Sequence, residues 1–186
     1  MKKIPTLFER VFKDHKIVSV IPKVTAGCEE AFLHGIATIK IDGSCCAIIN
    51  GEFYKRYDAK GKSIPEGAIP CQSEPDPITG HMPCWVKVDE NNKSDKWFVR
   101  AYENTPYKID GTYEAIGKHF QGNPYGLSDD ILELHGVKRV SVKRDFDSIK
   151  EYLANNYIEG LVFWYDDKPV CKIKRSDFGY EWGKKR

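Results

Sequence analysis

Hydrophobic and polar positions alternate most clearly over residues 36–57. Ala37, Ile39 and Ile41 alternate with Thr38, Lys40 and Asp42, the period of two expected of a strand buried on one face. A second apolar run over 45–49 leads into Asn50-Gly51, residue types that tolerate the positive φ of a two-residue hairpin turn, and 53–57 return as its partner. Residues 96–102, 112–117 and 131–135 read as further strands. Residues 158–165 are apolar on both faces apart from Glu159, which predicts a buried strand, and Asp166, Asp167 and Lys168 turn the chain into a last strand over 170–174. Asp147 or Ser148 is positioned to cap a helix reaching about Asn155, with Ile149, Tyr152 and Leu153 on its apolar side. The stretch 63–83 holds Pro65, Pro70, Pro75, Pro77 and Pro83 and reads as a long ordered loop, and 121–128 is also turn-rich. The pattern predicts an α+β fold dominated by antiparallel hairpins, with few helices.

Composition narrows the class. A chain of 186 residues is about one domain, and 41% hydrophobic with 30% charged residues describes a globular protein with its own core. No run approaches the roughly 18 apolar residues of a membrane span, so no membrane partner is expected. The net charge of +2 says little, but residues 172–186 hold six basic side chains against Asp177 and Glu181, an end suited to phosphates or simply to solvent. The six cysteines, Cys28, Cys45, Cys46, Cys71, Cys84 and Cys171, have neither CxxC nor zinc-ligand spacing. They read as reduced packing residues, and with no apolar leader after Met1 the expected compartment is the cytoplasm.

The informative residues are charges set into otherwise apolar strands. Lys40 and Asp42 lie two apart, as do Lys172 and Lys174 around Ile173, while Glu114 and Glu159 sit in or beside the most hydrophobic segments. An unpaired buried charge costs several kcal/mol, so each of these needs a partner, a ligand or water. Taken singly, each fits the outer face of a one-sided sheet. Taken together, they fit a polar cleft, and lysines facing one cavity call for an anion between them, such as a polyphosphate. His81, His119 and His135 lack metal-ligand spacing and read as surface or loop residues. There is no Ser-His-Asp or Cys-His arrangement, GxxxxGK[ST] loop or HExxH.

Lys40-Ile41-Asp42-Gly43 resembles the KxDG motif of the covalent nucleotidyltransferases, the superfamily of ATP-dependent DNA ligases, RNA ligases and mRNA capping enzymes. Arg56 follows on the next hairpin strand. Glu114-Ala115-Ile116-Gly117 resembles motif III, Glu159-Gly160-Leu161-Val162 motif IV and Lys172-Ile173-Lys174 motif V, in the family's order. Within the superfamily the chain is most similar to the small vertebrate-type ATP-dependent 5′–3′ RNA ligases with microbial and viral members. That likeness rests on Asp42-Gly43-Ser44-Cys45-Cys46, on the segment from Pro75 to His81, and on Asn123-Pro124-Tyr125-Gly126-Leu127. The aromatic that stacks on the base in this superfamily is left open among Phe120, Tyr125 and the 131–135 strand.

The resemblance implies a nucleotidyltransferase (ATP-grasp-like) domain of antiparallel sheets flanked by a few helices. Residues 1–186 would form a single minimal domain without an OB-fold, since only twelve residues follow Lys174. It implies ligation through a lysyl-AMP intermediate on Lys40, transfer of AMP to an RNA 5′-phosphate, and attack by a 3′-hydroxyl. Lys172 and Lys174 would activate Lys40 and neutralise phosphoryl oxygens. Asp42, Gly43, Arg56 and Glu114 would contact the nucleotide, and Glu159 would hold Mg²⁺ or Mn²⁺, directly or through water. Val162 either packs on the adenine or is a plain core valine. ATP as AMP donor, a divalent cation, and RNA with 5′-phosphate and 3′-hydroxyl ends are the expected cofactors and partner, with the protein a monomer. Three alternatives stay open: a GTP-using capping-type guanylyltransferase, a DNA ligase catalytic domain, and a non-catalytic RNA-binding module using Trp164, Tyr180 and Trp182.

Overall fold

The computed structural model describes residues 2–14, 16–60, 64–77 and 79–183. Ser63, Ile78 and the basic terminus at 184–186 thus lie outside the described residues. In chain order the strands and helices begin with β1 (Phe8–Lys13), β2 (Lys16–Val24), α1 (Glu29–His34) and β3 (Ile36–Lys40). They continue with β4 (Ser44–Ile49), β5 (Glu52–Lys60), β6 (Ile69–Pro70), β7 (His81–Lys87), α2 (Lys96–Glu103), β8 (Gly111–Ile116) and β9 (Ile131–Leu134). β10 (Arg139–Val140), α3 (Phe146–Asn155), β11 (Gly160–Tyr165), β12 (Lys168–Lys174) and a 3-10 turn at Arg175–Phe178 complete the chain. The fold is α+β, with three antiparallel sheets and few helices. Among the described residues no helix is long and apolar enough to cross a membrane.

The chain forms two compact units, one built mainly on Asp42–His135, the other on Ile4–Ile41 with Gly136–Lys185. The first holds a six-stranded sheet in the order β6-β7-β5-β4-β8-β9. Its β4–β5 hairpin turns on Asn50 and Gly51, both at positive φ (51° and 76°), as the Asn-Gly pair predicts. Asp110 accepts both of their backbone N–H groups. Two expectations fail in this unit. Residues 96–103 form helix α2, not a strand: Trp97, Phe98, Ala101 and Tyr102 recur at three and four residues and pack as one face against Phe53, Tyr113 and Phe120. The Pro-rich stretch is also not all loop, because β7 pairs with β5 from Tyr54↔Lys87 to Lys60↔His81. Pro83 is tolerated inside this strand, and its carbonyl accepts the Cys71 N–H at 2.9 Å.

The second unit holds the hairpin β1–β2 and a four-stranded sheet in the order β10-β3-β11-β12. Before β3 the chain makes this hairpin and then α1. Ala37, Leu161, Phe163, Cys171 and Ile173 form one face of the sheet and join Phe8, Phe32, Ile149 and Leu153 in the core. Asp166 and Asp167, both at positive φ, make the β11–β12 turn. Helix α3 begins two or three residues earlier than predicted, since Asp145 is its cap and accepts the Ser148 N–H at 2.8 Å. All six cysteines are free thiols, as their spacing predicts.

The alternation along β11 gives a direct stability test. Leu161 is fully buried in the core, whereas Val162 is half-buried on the opposite face. Leu161→Ala is expected to lose about 3 kcal/mol in urea denaturation and Val162→Ala about 1 kcal/mol. Equal losses would contradict the assignment of the two faces.

Candidate functional site

β11 lies between β3 and β12, and Gly160 is the register partner of Lys40 on one side and of Lys174 on the other. Cross-strand partners project from the same face, so both lysines rise from the face opposite the core. Two residues along, Val162 is paired with Thr38 and with Lys172, which brings the third lysine to that face. A side chain at Gly160 has no room: its Cβ would lie 2.1 Å from the Ile173 carbonyl oxygen and 2.8 Å from the Lys174 Cα.

Glu159, one residue before β11, closes the arrangement. Its Oε2 accepts from Lys40 Nζ at 2.6 Å and its Oε1 pairs with Lys174 Nζ at 2.9 Å. The carboxylate is only 6% exposed, while the two lysines keep 20% and 33% of their side chains accessible. Among the described residues Lys172 has no ion pair of its own. Burial above all, and then the positive charges of Lys40, Lys174 and Arg10, pull its ammonium down to about 8, only partly offset by Glu159. Trp164 stands further along the same face and donates its indole N–H to Thr38 Oγ1 at 2.9 Å. Val162 belongs to this polar face and not to the core.

The structure ends β3 at Lys40, and Asp42 sits in the connection to β4. In the first unit, the Asp42 backbone N–H donates to Tyr125 Oη at 2.7 Å. Glu114 on β8 accepts the Gly43 N–H at 3.1 Å through Oε1, and its Oε2 lies 2.9 Å from His135 Nε2. His135 Nδ1 in turn meets Thr112 Oγ1 at 3.0 Å. Gly43 is compulsory here, because a Cβ would fall 2.3 Å from the Ala115 carbonyl oxygen. Arg56 Nε pairs with Asp58 at 3.0 Å. Phe120 is only 5% exposed and packs edge-on to Phe98, so of the aromatics considered for base stacking it is a core residue.

His119 and His135, read from the sequence as surface or loop residues, and Arg10, which the sequence did not single out, all have specific partners. His135 is the side-chain partner of Glu114. His119 is stacked on Trp97 with ring centroids 3.3 Å apart and meets the buried Asp130 at 2.6 Å, so it is no loose loop residue. Arg10 pairs with Asp177 at 3.2 Å. None of them has a motif spacing that would mark it. Burial and the nearby Glu114 charge push the Cys45 thiol up to about 12, and burial raises Cys46 as well, so both pack as thiols.

Among the described residues no group of three or more His, Cys, Asp or Glu side chains is arranged to hold a metal ion. On the lysine face, the carboxylate that pairs with Lys40 and Lys174 is Glu159. One carboxylate with water and phosphate oxygens suits Mg²⁺, which seldom takes a full set of protein ligands.

No family model matches the chain. RNA ligase 1 from Danio rerio is 28% identical over 78% of this chain and 68% of its own length. RNA ligase 1 from Rattus norvegicus is 23% identical over 80% and 69%, and that from Pongo abelii 27% over 70% and 53%. The chain is related to these RNA ligases.

The lowered Lys172 group yields a stability test. Below about pH 8 the folded protein holds a half-buried ammonium that the unfolded chain would solvate freely, so Lys172 costs stability there. Between about 8 and the ordinary lysine value near 10.4, the unfolded chain binds more protons and the cost disappears. Lys172→Met is therefore expected to be more stable than the wild type at pH 6.5, with the gap shrinking steadily through pH 8 to 10 in urea denaturation. A gap that stays constant over this range would rule out the buried ammonium.

Proposed function

We propose that this protein is an ATP-dependent RNA ligase that joins a 5′-phosphate end to a 3′-hydroxyl end through AMP carried on Lys40. The observation that supports the reading best is the convergence of Lys40 and Lys174 on one Glu159 carboxylate, with Lys172 on the same face. The names of the related proteins supply the substrate class and the outcome of the reaction.

On this reading Lys40 Nζ leaves its ion pair, loses a proton and attacks the α-phosphorus. The N–P bond forms as the bond to the bridging oxygen breaks, and pyrophosphate departs with that oxygen. Lys172 and Lys174 lie against the phosphoryl oxygens, where fixed positive charge favours the transition state over the ground state. Glu159 is the carboxylate that would hold Mg²⁺ or Mn²⁺, whose contribution is positive charge at the phosphoryl oxygens. An oxygen of the RNA 5′-phosphate then attacks the AMP phosphorus as the N–P bond to Lys40 breaks, and the 3′-hydroxyl attacks that 5′-phosphate, its proton passing to solvent as AMP leaves and the strand is sealed. Val162 and Trp164 offer apolar surface beside the lysines. The roles of Asp42, Arg56 and Glu114, which belong to the first unit, rest on the motif resemblance.

Incubation with α-³²P-ATP and a divalent cation, followed by a denaturing gel and peptide mapping, tests the reading. The label is expected on Lys40 and absent from Lys40→Ala at every pH. Lys174→Ala is expected to slow labelling by roughly 10²–10³, the usual loss when one transition-state charge contact is removed. Raising the pH should recover part of that loss by supplying more free amine at Lys40. A label on Lys172, labelling by GTP alone, or an unlabelled wild type would each defeat the proposal.

A further inference from the structure

On the lysine face, the charges extend beyond the three lysines. Residues 5–7 run beside the outer edge of β12: Leu7 N–H donates to the Lys172 carbonyl at 2.7 Å, and Lys172 N–H donates to the Pro5 carbonyl at 3.0 Å. Three residues further on, Arg10 reaches back from β1 to Asp177, Nη2 to Oδ1 at 3.2 Å. Asp177 Oδ2 accepts the Lys174 backbone N–H at 2.8 Å, which ties Arg10 to the end of the motif strand. The Arg10 charge is also felt at Lys172, where it helps to disfavour the ammonium.

Two features of Arg10 are not explained by its ion pair. Its Nε is buried with no hydrogen-bond partner among the described residues, although the side chain as a whole is 30% exposed. A buried guanidinium N–H left without an acceptor is costly, and an anion supplied from outside would satisfy it. Four cations gather here, and among the described residues the ion pairs of Arg10, Lys40 and Lys174 end on two carboxylates, Asp177 and Glu159, with Lys172 adding a further positive charge beside them.

We propose that Arg10 is a phosphate-binding residue for the pyrophosphate end of the nucleotide. This rests on the nucleotidyl-transfer reading for its orientation. Lys40 on β3 marks the α-phosphate, and β11 and β12 follow across the sheet at about 4.8 Å per strand. The β- and γ-phosphates would extend in that direction, over Lys174 and Lys172, and reach Arg10 beyond the edge of β12. The planar guanidinium suits two phosphate oxygens at once, and the orphaned Nε is one of the donors.

Calorimetric titration of the full chain with inorganic pyrophosphate and, separately, with AMP tests this, with melting curves as a control for folding. Arg10→Gln is expected to weaken pyrophosphate binding about tenfold to a hundredfold, the loss of one charge-assisted contact, and to leave AMP within twofold. Arg10→Lys keeps a charge for Asp177 but lacks the Nε donor, so it should fold like the wild type and still bind pyrophosphate several-fold more weakly. If Arg10 only anchors the hairpin to Asp177, Arg10→Gln will lower the melting temperature and affect both ligands equally or neither. That result, or a wild type that does not bind pyrophosphate, overturns the proposal. An Arg10-dependent pyrophosphate site in a protein that ATP fails to label would instead retain the site and defeat the ligase reading.

Discussion

The charged face of the second unit depends on the Glu159 carboxylate. It sits 2.6 Å from one ammonium and 2.9 Å from another, and it is almost wholly removed from water. Opposite unit charges about 4 Å apart interact by roughly 4 kcal/mol at the effective dielectric of a protein surface, and like charges repel on the same scale. Without Glu159 the same strands would present three lysines with no carboxylate between them. The register makes the pairing possible, because Gly160 stands opposite both lysines and has no side chain to separate them. The core holds that register in place. A slip of one residue would turn Leu161, Phe163, Cys171 and Ile173 out to solvent and the lysines into the core.

Folding thus fixes the charges before any ligand arrives. The apolar face of β3, β11 and β12 supplies the burial, and the opposite face carries cations that the unit only partly compensates. The positive charge of this face, the lowered Lys172 group and the Arg10 Nε without a partner among the described residues would all be relieved by the same thing, a polyanion lying across the strands. This links the stability of the unit to binding. An anion that discharges part of this repulsion stabilises the folded state in proportion to its affinity for it.

Much of this was legible in the sequence where a short-range rule applied. The period of two around Lys40 and Lys172 located the strands, and the Asn50-Gly51 and Asp166-Asp167 pairs located two turns, because each signal lies within a few adjacent residues. The lysines and acids stood out because they interrupt apolar runs. Three features were not legible in this way. Helix α2 is rich in aromatics, which favour strands, and only packing against Phe53 and Phe120 resolves the choice. β7 was masked by Pro83 and by the proline-rich stretch before it, and the cost of Pro83 is small where the missing N–H is not needed. Arg10 and His135 acquire their partners across 167 and 21 residues of chain respectively, and no local pattern encodes a contact of that kind.

On the proposed reading, proton affinity alone does not select the nucleophile. Lys172, held down to about 8, releases its proton far more readily than an ordinary lysine, yet the motif places the reaction on Lys40. Position separates the two. Lys40 lies in the same cross-strand row as Lys174 and shares its carboxylate, so a phosphate that draws Lys174 leaves Lys40 next to the phosphorus. Lys172 lies one row along, opposite Val162, and faces the outgoing end of the nucleotide. There, an ammonium that has little to lose from meeting an anion is more useful than a neutral amine. The arriving phosphates would offset the burial and repulsion that lower it, holding Lys172 as an ammonium as charge develops on the departing pyrophosphate.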